Sequence, residues 1–235
     1  MYLGIDLGTS SVKALLVDEK ERVIGTAQQP LAISRPQPGA SEQDPRAWWT
    51  ATLAVVDELA ARYATAMSQV NGIGLAGQMH GAVLLDSGNE VLRPAMLWND
   101  GRAQQECVEL EALFPQLPKV TGNRAMPGFT APKLLWVRRH EPALFDRIAT
   151  VLLPKAYLRF RLCGEAIEEM SDASGTLWLD VGNRDWSDAA LAATGLNRRQ
   201  TGRTLRRLCW KAWRFHSWIA CGRWRRRGRK SGPPP

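Results

Sequence analysis

The sequence predicts an α/β fold in which a mixed β-sheet is flanked by helices. In residues 1–17, two apolar stretches surround a polar turn at 8–10, which is typical of a strand, a tight turn and a second strand. At Asp44-Pro45, an N-cap residue precedes a proline at the first helical position. After residue 70, short apolar stretches alternate with helical patterns. These three observations together indicate a layered α/β domain.

In the first half of the chain, a third extended segment over residues 23–33 follows the first two strands, before a loop rich in proline and glycine. The helix that starts at Asp44 continues to Tyr63 with Trp48 on its apolar face. Residues 70–76 predict a short buried strand. Because functional loops commonly leave the carboxyl ends of strands, the loop that follows at 77–81 is a candidate site.

In the second half, apolar segments at 82–85 and 91–98 flank a turn-forming stretch and predict a second hairpin. Helical patterns follow at 101–113, in the later part of 126–140 and at 157–162, and a short strand is expected at 151–153. This order of elements is that of a ribonuclease-H-like domain of the actin and hexokinase type. We expect this domain to occupy residues 1–200.

The charge of the chain is unevenly distributed. The formal net charge is +8, but residues 201–235 carry eleven Lys and Arg and no acidic residue, which leaves 20 basic against 23 acidic side chains in residues 1–200. The predicted domain is therefore mildly acidic, and no specific nucleic-acid interface is expected on it. Four widely spaced cysteines predict neither a zinc site nor a disulfide framework. With no signal peptide or membrane span expected, a cytoplasmic protein is predicted.

The turn of the first hairpin has the composition of a phosphate-binding loop. Asp6 interrupts an apolar strand, and Gly8 permits a close approach of the backbone to a ligand. Thr9 and Ser10 offer hydroxyl and amide groups at the tip. With Lys13 nearby as a countercharge, this set suits a phosphate that carries Mg²⁺. An ordinary hairpin with a polar turn is the alternative.

Five motifs then occur in order, and together they resemble the FGGY carbohydrate kinases, most closely the xylulokinases of that family. The resemblance covers residues 1 to about 200. The motifs are Gly4-Ile5-Asp6-Leu7-Gly8-Thr9-Ser10, Gly77-Gln78-Met79-His80-Gly81, Leu97-Trp98-Asn99-Asp100-Gly101-Arg102, the segment from Gly128 to Trp136, and Ser171-Asp172-Ala173-Ser174-Gly175-Thr176.

The resemblance implies transfer of a phosphoryl group from ATP, with Mg²⁺, to the terminal hydroxyl of D-xylulose. It implies that Asp6 orients hydrated magnesium and that Gly8, Thr9, Ser10 and Lys13 bind the nucleotide phosphates. The sugar would contact Gln78, Met79, His80, Trp98, Asn99, Asp100 and Arg102. Of these, the loop with Gln78 distinguishes a xylulose-type substrate from glycerol. Another pentulose or a sugar alcohol of the same family is the alternative substrate.

Several of these residues have a structural interpretation as well. His80 could instead satisfy a neighbouring carbonyl, and Trp98 could belong to the core. Lys133 and Trp136 are assigned mainly to helix packing beneath the site. Asp172, at the head of a Ser/Asp/Gly/Thr segment, is expected to be a turn and capping residue.

The sequence lacks the features expected of the second half of a family member. Family members run to about twice this length, and their second domain supplies the catalytic aspartate in a Gly-Gly-x-Asp-Asn-type loop and the adenosine pocket. No segment of residues 1–235 matches that loop, so no catalytic base is assigned. We expect the chain to be inactive alone and to need this second kinase domain as its partner. The family implies a homodimer for the full-length protein.

Residues 201–235 form an Arg- and Trp-rich tail that contains four of the ten tryptophans. Arg, Trp, Gly, Cys and Pro all have G/C-rich codons, so the abrupt change in composition predicts an out-of-frame, non-native extension of a truncated kinase gene. A second interpretation is an unstructured basic segment that binds polyanions without specificity. A tail that binds nucleic acid or a membrane surface through interleaved Trp and Arg is a third.

Overall fold

The computed structural model describes residues 1–202, and the predictions made for the rest of the tail lie outside the described residues. The strands are β1 (Tyr2–Leu7), β2 (Ser11–Val17), β3 (Val23–Pro30), β4 (Glu42–Gln43), β5 (Gly72–Gly77), β6 (Val83–Leu85), β7 (Ala95–Met96), β8 (Thr150–Leu152), β9 (Leu179–Asp180) and β10 (Asp185–Trp186). The helices are α1 (Pro45–Arg62), α2 (Ala64–Ser68), α3 (Gln104–Leu113), α4 (Leu117–Thr121), α5 (Thr130–His140), α6 (Pro142–Phe145), α7 (Pro154–Cys163), α8 (Met170–Ser174) and α9 (Asp188–Ala193), with a 3₁₀ turn at Arg198–Gln200.

The central sheet has the strand order β3-β2-β1-β5. β2 pairs antiparallel with both β1 and β3, whereas β1 and β5 are parallel, in register from Tyr2 opposite Gly72 to Leu7 opposite Gly77. This arrangement confirms the predicted mixed sheet. It also brings the carboxyl ends of β1 and β5 to the same edge, and so sets the loops that follow them side by side.

The helix α1 begins as the sequence predicts. The Asp44 side chain accepts a hydrogen bond from the amide of Arg46, and Pro45 occupies the first turn, where its missing N–H is not needed. Trp48, Val55 and Leu59 on one face of the helix are fully buried against β2 and β3. Residues 1–202 leave the opposite face of the sheet open, and Tyr2, Asp6 and Lys13 are exposed there.

The segment 82–98 differs from the predicted hairpin. The chain does reverse at Asp86, whose amide donates to the carbonyl of Glu90. Pairing between the two arms, however, is limited to the single bridges Ala82–Met96 and Leu85–Val91. β6 pairs instead with β8, and β7 pairs with β4. β6 is buried along its whole length, and its strand partner β8 is distant in the sequence.

Two hydrophobic clusters organise the described residues. One contains the covered face of the central sheet, α1 and the start of α7, where Trp48 and Tyr157 make an edge-on ring contact with centroids 6.4 Å apart. The other gathers α5, α9 and the segment around Trp178. β6 contributes to both, because Val83 and Leu85 face the first cluster and Leu84 faces the second. Among residues 1–202, no helix combines the length and apolar character needed to span a bilayer.

Candidate active site

The turn between β1 and β2 is tightly closed. The amide of Gly8 donates to the carbonyl of Ser11 at 3.0 Å. A Cβ atom at Gly8 would lie 3.2 Å from that same oxygen, so a larger residue would have to open the turn. In the described part of the chain, the amides of Thr9 and Ser10 donate to no backbone or side-chain acceptor. Two adjacent N–H groups at an exposed tip are suitable donors to the oxygens of a phosphate.

Asp6 and Lys13 lie directly opposite each other on β1 and β2. Both side chains are on the open face of the sheet, next to the turn, and both are exposed. Within residues 1–202, no ion pair joins the two and none engages Asp6 with another residue. The carboxylate and the ammonium are therefore both available to a charged ligand.

The site residues fit a hydrated magnesium ion held by Asp6. Residues 1–202 contain no group of three or more side chains placed to enclose a metal. Mg²⁺ commonly keeps several of its waters and is bound through one or two carboxylates together with substrate phosphates. A single exposed carboxylate beside a turn predicted to bind phosphate matches that mode of binding.

A chain of hydrogen bonds joins this turn to the loop after β5. The hydroxyl of Thr9 donates to the side-chain oxygen of Gln78 at 3.2 Å, and the Nε1 of Trp98 donates to the same hydroxyl at 3.0 Å. The backbone amide of Gln78 also donates to the carbonyl of Leu7 at 2.7 Å. Because the Thr9 hydroxyl is occupied in this way, its backbone amide is the group left for a phosphate.

Gln43 is the centre of this network and was not predicted from the sequence. Its Nε2 donates to the carbonyls of Thr9 (2.7 Å) and Ala32 (3.2 Å). Its Oε1 accepts from Nε1 of Trp48 (2.9 Å) and Nε2 of Gln78 (3.1 Å). All of its capacity for hydrogen bonds is thus used in a buried position. A polar residue directly before the N-cap Asp44 was the only signal in the sequence.

His80 occupies a left-handed backbone conformation, with φ of +64°. Its Nδ1 lies 3.0 Å from the carbonyl oxygen of Gly175, and its ring makes an edge-on contact with Phe129 at a centroid distance of 4.6 Å. Burial lowers the pKa of His80 below its usual value, and the charge of Lys133 lowers it further, against the opposing effect of the Gly175 carbonyl. The imidazole is therefore neutral at pH 7.

The remaining sugar-site candidates fall into two groups. Met79, Trp98 and Asn99 are exposed around the loops, with 49% of Trp98 accessible, so Trp98 is a wall of this region and does not belong to the core. Asp100, by contrast, is buried and accepts from the amide of Ser41 at 2.9 Å. It also pairs with Arg102, which contacts Glu42 and lies 4.6 Å above the ring of Trp136.

A second group of residues that was not predicted from the sequence lies beside the loop 77–81. Lys155, at the start of α7, pairs with Glu169 at 3.2 Å and with Asp172 at 3.3 Å. A Cβ atom on Gly77 would lie 3.5 Å from that of Lys155, so the ion pairs adjoin the end of β5. The predicted capping role of Asp172 is wrong. Glu169 caps α8 by accepting from the amide of Ser171, which leaves Asp172 free to pair with Lys155.

The family model for the N-terminal domain of the FGGY family of carbohydrate kinases matches residues 1–208. The chain belongs to this family. Its resemblance to the family in five sequence motifs is therefore confirmed, and the loops that carry the first two motifs are those that the parallel β1/β5 pair brings together.

Among its relatives in the family, the xylulose kinase of Escherichia coli K12 is 56% identical over 200 residues, which are 85% of this chain and 41% of the relative. The xylulose kinase of Bacillus subtilis 168 is 41% identical over 83% of the chain and 39% of the relative. The chain thus spans about two fifths of the length of these relatives.

Solved structures of sugar kinases share the fold. The structure of a xyloylose kinase from Brucella ovis superposes with a TM-score of 0.84 and 54% sequence identity, over 86% of this chain and 42% of that protein. The xylulose kinase from Rhodospirillum rubrum gives a TM-score of 0.82 and 32% identity over 85% and 41% of the respective chains. The predicted fold class is confirmed by these superpositions.

Proposed function

We propose that this chain provides the sugar-binding half of a kinase that phosphorylates D-xylulose to D-xylulose 5-phosphate at the expense of ATP. The observation that carries the proposal is the hydrogen bond between Thr9 and Gln78, which joins the phosphate-binding turn to the sugar loop at one edge of the sheet. Phosphoryl transfer depends above all on positioning the acceptor against the phosphate. The names of the relatives support xylulose as the acceptor.

On the phosphate side, the amides of Thr9 and Ser10 would bind phosphate oxygens, with Gly8 keeping the turn tight and Lys13 supplying positive charge. Asp6 would hold magnesium through water. When bound, ATP would supply the phosphoryl group, and its Mg²⁺ would neutralise the charge that develops on it.

On the sugar side, we assign contact with hydroxyl groups to Gln78, His80 and Asn99, and contact with the C–H face to Met79 and Trp98. The exposure of Met79, Trp98 and Asn99 supports this assignment. Asp100 and Arg102 are assigned instead to holding the wall in place, since their polar groups are engaged with Ser41, Glu42 and each other. This narrows the set of sugar contacts expected from the motif alone.

The terminal hydroxyl of the sugar must lose a proton as it attacks phosphorus. The family resemblance assigns the acceptor of this proton to a second domain, and no part of residues 1–235 matches its loop. We therefore expect the 235-residue chain by itself to bind D-xylulose and not to turn it over.

Isothermal titration of the full chain with D-xylulose, a second pentulose and glycerol tests this proposal. We expect D-xylulose to bind more tightly than glycerol and His80→Ala to weaken binding at least tenfold. His140→Gln, which changes an exposed histidine at the end of α5, serves as the control and should leave the affinity unchanged. Preference for another sugar would contradict D-xylulose as the substrate. Measurable ATP-dependent turnover would contradict the proposal that the proton acceptor belongs to a second domain.

A further inference from the structure

The groups that hold His80 come from two segments of the chain. Phe129, Thr130 and Lys133 belong to the start of α5, and Gly175 follows α8. These segments contain two of the five sequence motifs, and neither has an assigned part in the proposed chemistry. Their contacts with His80 indicate a role for both segments.

The main chain of His80 is held by two donors. Nζ of Lys133 lies 2.8 Å from the carbonyl oxygen of His80, and the hydroxyl of Thr130 donates to the same oxygen at 3.2 Å. Lys133 makes a second bond of 2.7 Å to the carbonyl of Gly128. A residue with a side chain rarely adopts positive φ unless its surroundings fix it there. The two donors from α5 supply this restraint at His80.

Lys133 is completely buried, which is unusual for a lysine. Burial lowers its pKa to about 7, against the opposing charge of Asp100. An ammonium group has three N–H donors and a neutral amine has two, so both forms can satisfy the carbonyls of His80 and Gly128. The contact therefore persists whichever form is present.

The ring of His80 is fixed as well. The carbonyl oxygen of Gly175 can only accept a hydrogen bond, so the proton of the neutral ring must be on Nδ1. Nε2 then carries the lone pair and acts as an acceptor. A Cβ atom on Gly175 would come within 2.4 Å of the ring, so glycine at this position allows the close approach.

We propose that Lys133 is a positioning residue of the sugar site, which, together with Thr130, holds the main chain of His80 so that its imidazole keeps the proton on Nδ1 and presents Nε2 as the acceptor for a hydroxyl of the bound pentulose. The inference rests on the proposed function for the identity of the ligand. The tautomer of His80, however, is a property of the protein without sugar.

The test compares Lys133→Met and Thr130→Val with Lys119→Met, which removes an exposed lysine from α4 and serves as the matched control. The ¹⁵N spectrum of histidine-labelled full chain reports which ring nitrogen carries the proton, and His80→Gln identifies the signals of His80. We expect the Nδ1–H form in the parent chain and in Lys119→Met, and loss of this single form in Lys133→Met. D-Xylulose affinity should fall at least tenfold in Lys133→Met and about threefold in Thr130→Val.

A folded Lys133→Met variant that keeps the Nδ1–H signal and the affinity of the parent overturns the proposal. If Lys133→Met does not fold, Thr130→Val tests the proposal instead, because it removes a donor to the same carbonyl of His80 with little change of side-chain shape. An unchanged spectrum in that variant counts against the proposal in the same way. If the parent chain does not bind D-xylulose, the proposed function fails, and the nitrogen spectra still decide the role of Lys133.

Discussion

The hydroxyl of Thr9 donates a hydrogen bond of 3.2 Å to the side-chain oxygen of Gln78. These residues are 69 positions apart in the sequence and belong to the loops proposed to bind phosphate and sugar. They meet because β1 and β5 are parallel neighbours and end at the same edge of the sheet. The two halves of the proposed site are thus joined directly, without an intervening helix or mobile segment.

Replacing Gln43 by Leu should destabilise the fold and weaken sugar binding. The change leaves the carbonyl of Thr9 and the indole N–H of Trp48 without partners in a buried region. Each such group costs about 1–3 kcal/mol, so for the two groups we expect the free energy of unfolding, measured by urea denaturation, to fall by about 2–6 kcal/mol. Gln37→Leu, in an exposed loop, is the control and should be nearly neutral. Equal stabilities of the two variants would show that the hydrogen bonds of Gln43 contribute little to the free energy of unfolding.

Gly128→Ala should displace the wall of the site. A Cβ atom at this position would lie 2.4 Å from the carbonyl oxygen of Trp98, and a backbone atom cannot move aside easily. We expect a loss of about 1–3 kcal/mol in stability and weaker binding of D-xylulose by titration. Gly4→Ala, where the new atom would meet its nearest neighbour only at 3.8 Å, is the control. Undiminished affinity in Gly128→Ala would argue against Trp98 as a sugar contact.

The carboxyl group of Glu168 should make the stability of the fold depend on pH. It is completely buried, and burial raises its pKa to about 8, although it accepts a bond of 2.7 Å from the amide of Leu153. A carboxyl group whose pKa is higher in the folded than in the unfolded protein contributes fully to stability at a pH below its pKa in the unfolded chain. This contribution is lost as the pH rises towards 8. Glu168→Gln keeps an acceptor for Leu153 and cannot ionise.

We therefore expect the stability of Glu168→Gln relative to the parent to increase between pH 4.5 and pH 8, by up to about 4 kcal/mol in total. Urea unfolding at a series of pH values measures the difference. Glu165→Gln, at a nearby position that is exposed, should show no such trend. A constant difference between Glu168→Gln and the parent across this range would mean that Glu168 is ionised in the folded protein.

Binding of D-xylulose should depend on the protonation of His80. Its pKa is lowered by burial, so the ring is neutral at pH 7 and can accept a hydrogen bond through Nε2. Protonation converts Nε2 into a donor. Affinity should accordingly decline as the pH falls, with a midpoint below the ordinary histidine value of 6.5, whereas the weak binding of His80→Ala should stay flat. Titration calorimetry at each pH gives the profile, and a midpoint at or above pH 6.5 would contradict the lowered pKa of the buried ring.

The elements with strong local signals were predicted well from the sequence. The first hairpin, the cap of α1 at Asp44 and the loop after β5 all depend on neighbouring residues, and the structure has them where the pattern places them. The hairpin at 82–98 was less successful, since its arms pair mainly with the distant strands β4 and β8. Alternating apolar residues indicate a strand but do not identify its partner.

The composition of the candidate site was only partly predictable for the same reason. His80 and Trp98 stand out because their residue types and their place in a loop suggest binding. Gln43 and Lys155 do not, since their roles come from hydrogen bonds and ion pairs with residues far away in the sequence. Asp100 was expected at the ligand and is instead buried, because a carboxylate that already has Arg102 and a backbone amide as partners is stable away from water.

All hydrogen-bonding groups of the Gln43 side chain have partners, which limits how sugar preference can change in proteins with this architecture. A substitution at Gln78 or Trp98 disturbs bonds that also shape the turn proposed to bind phosphate, so a change of sugar preference made there should also weaken the proposed nucleotide binding. Met79 and Asn99 are exposed and lie outside that network. Engineering of the proposed sugar preference should therefore begin at these two positions, and we expect natural divergence in sugar preference to be concentrated there.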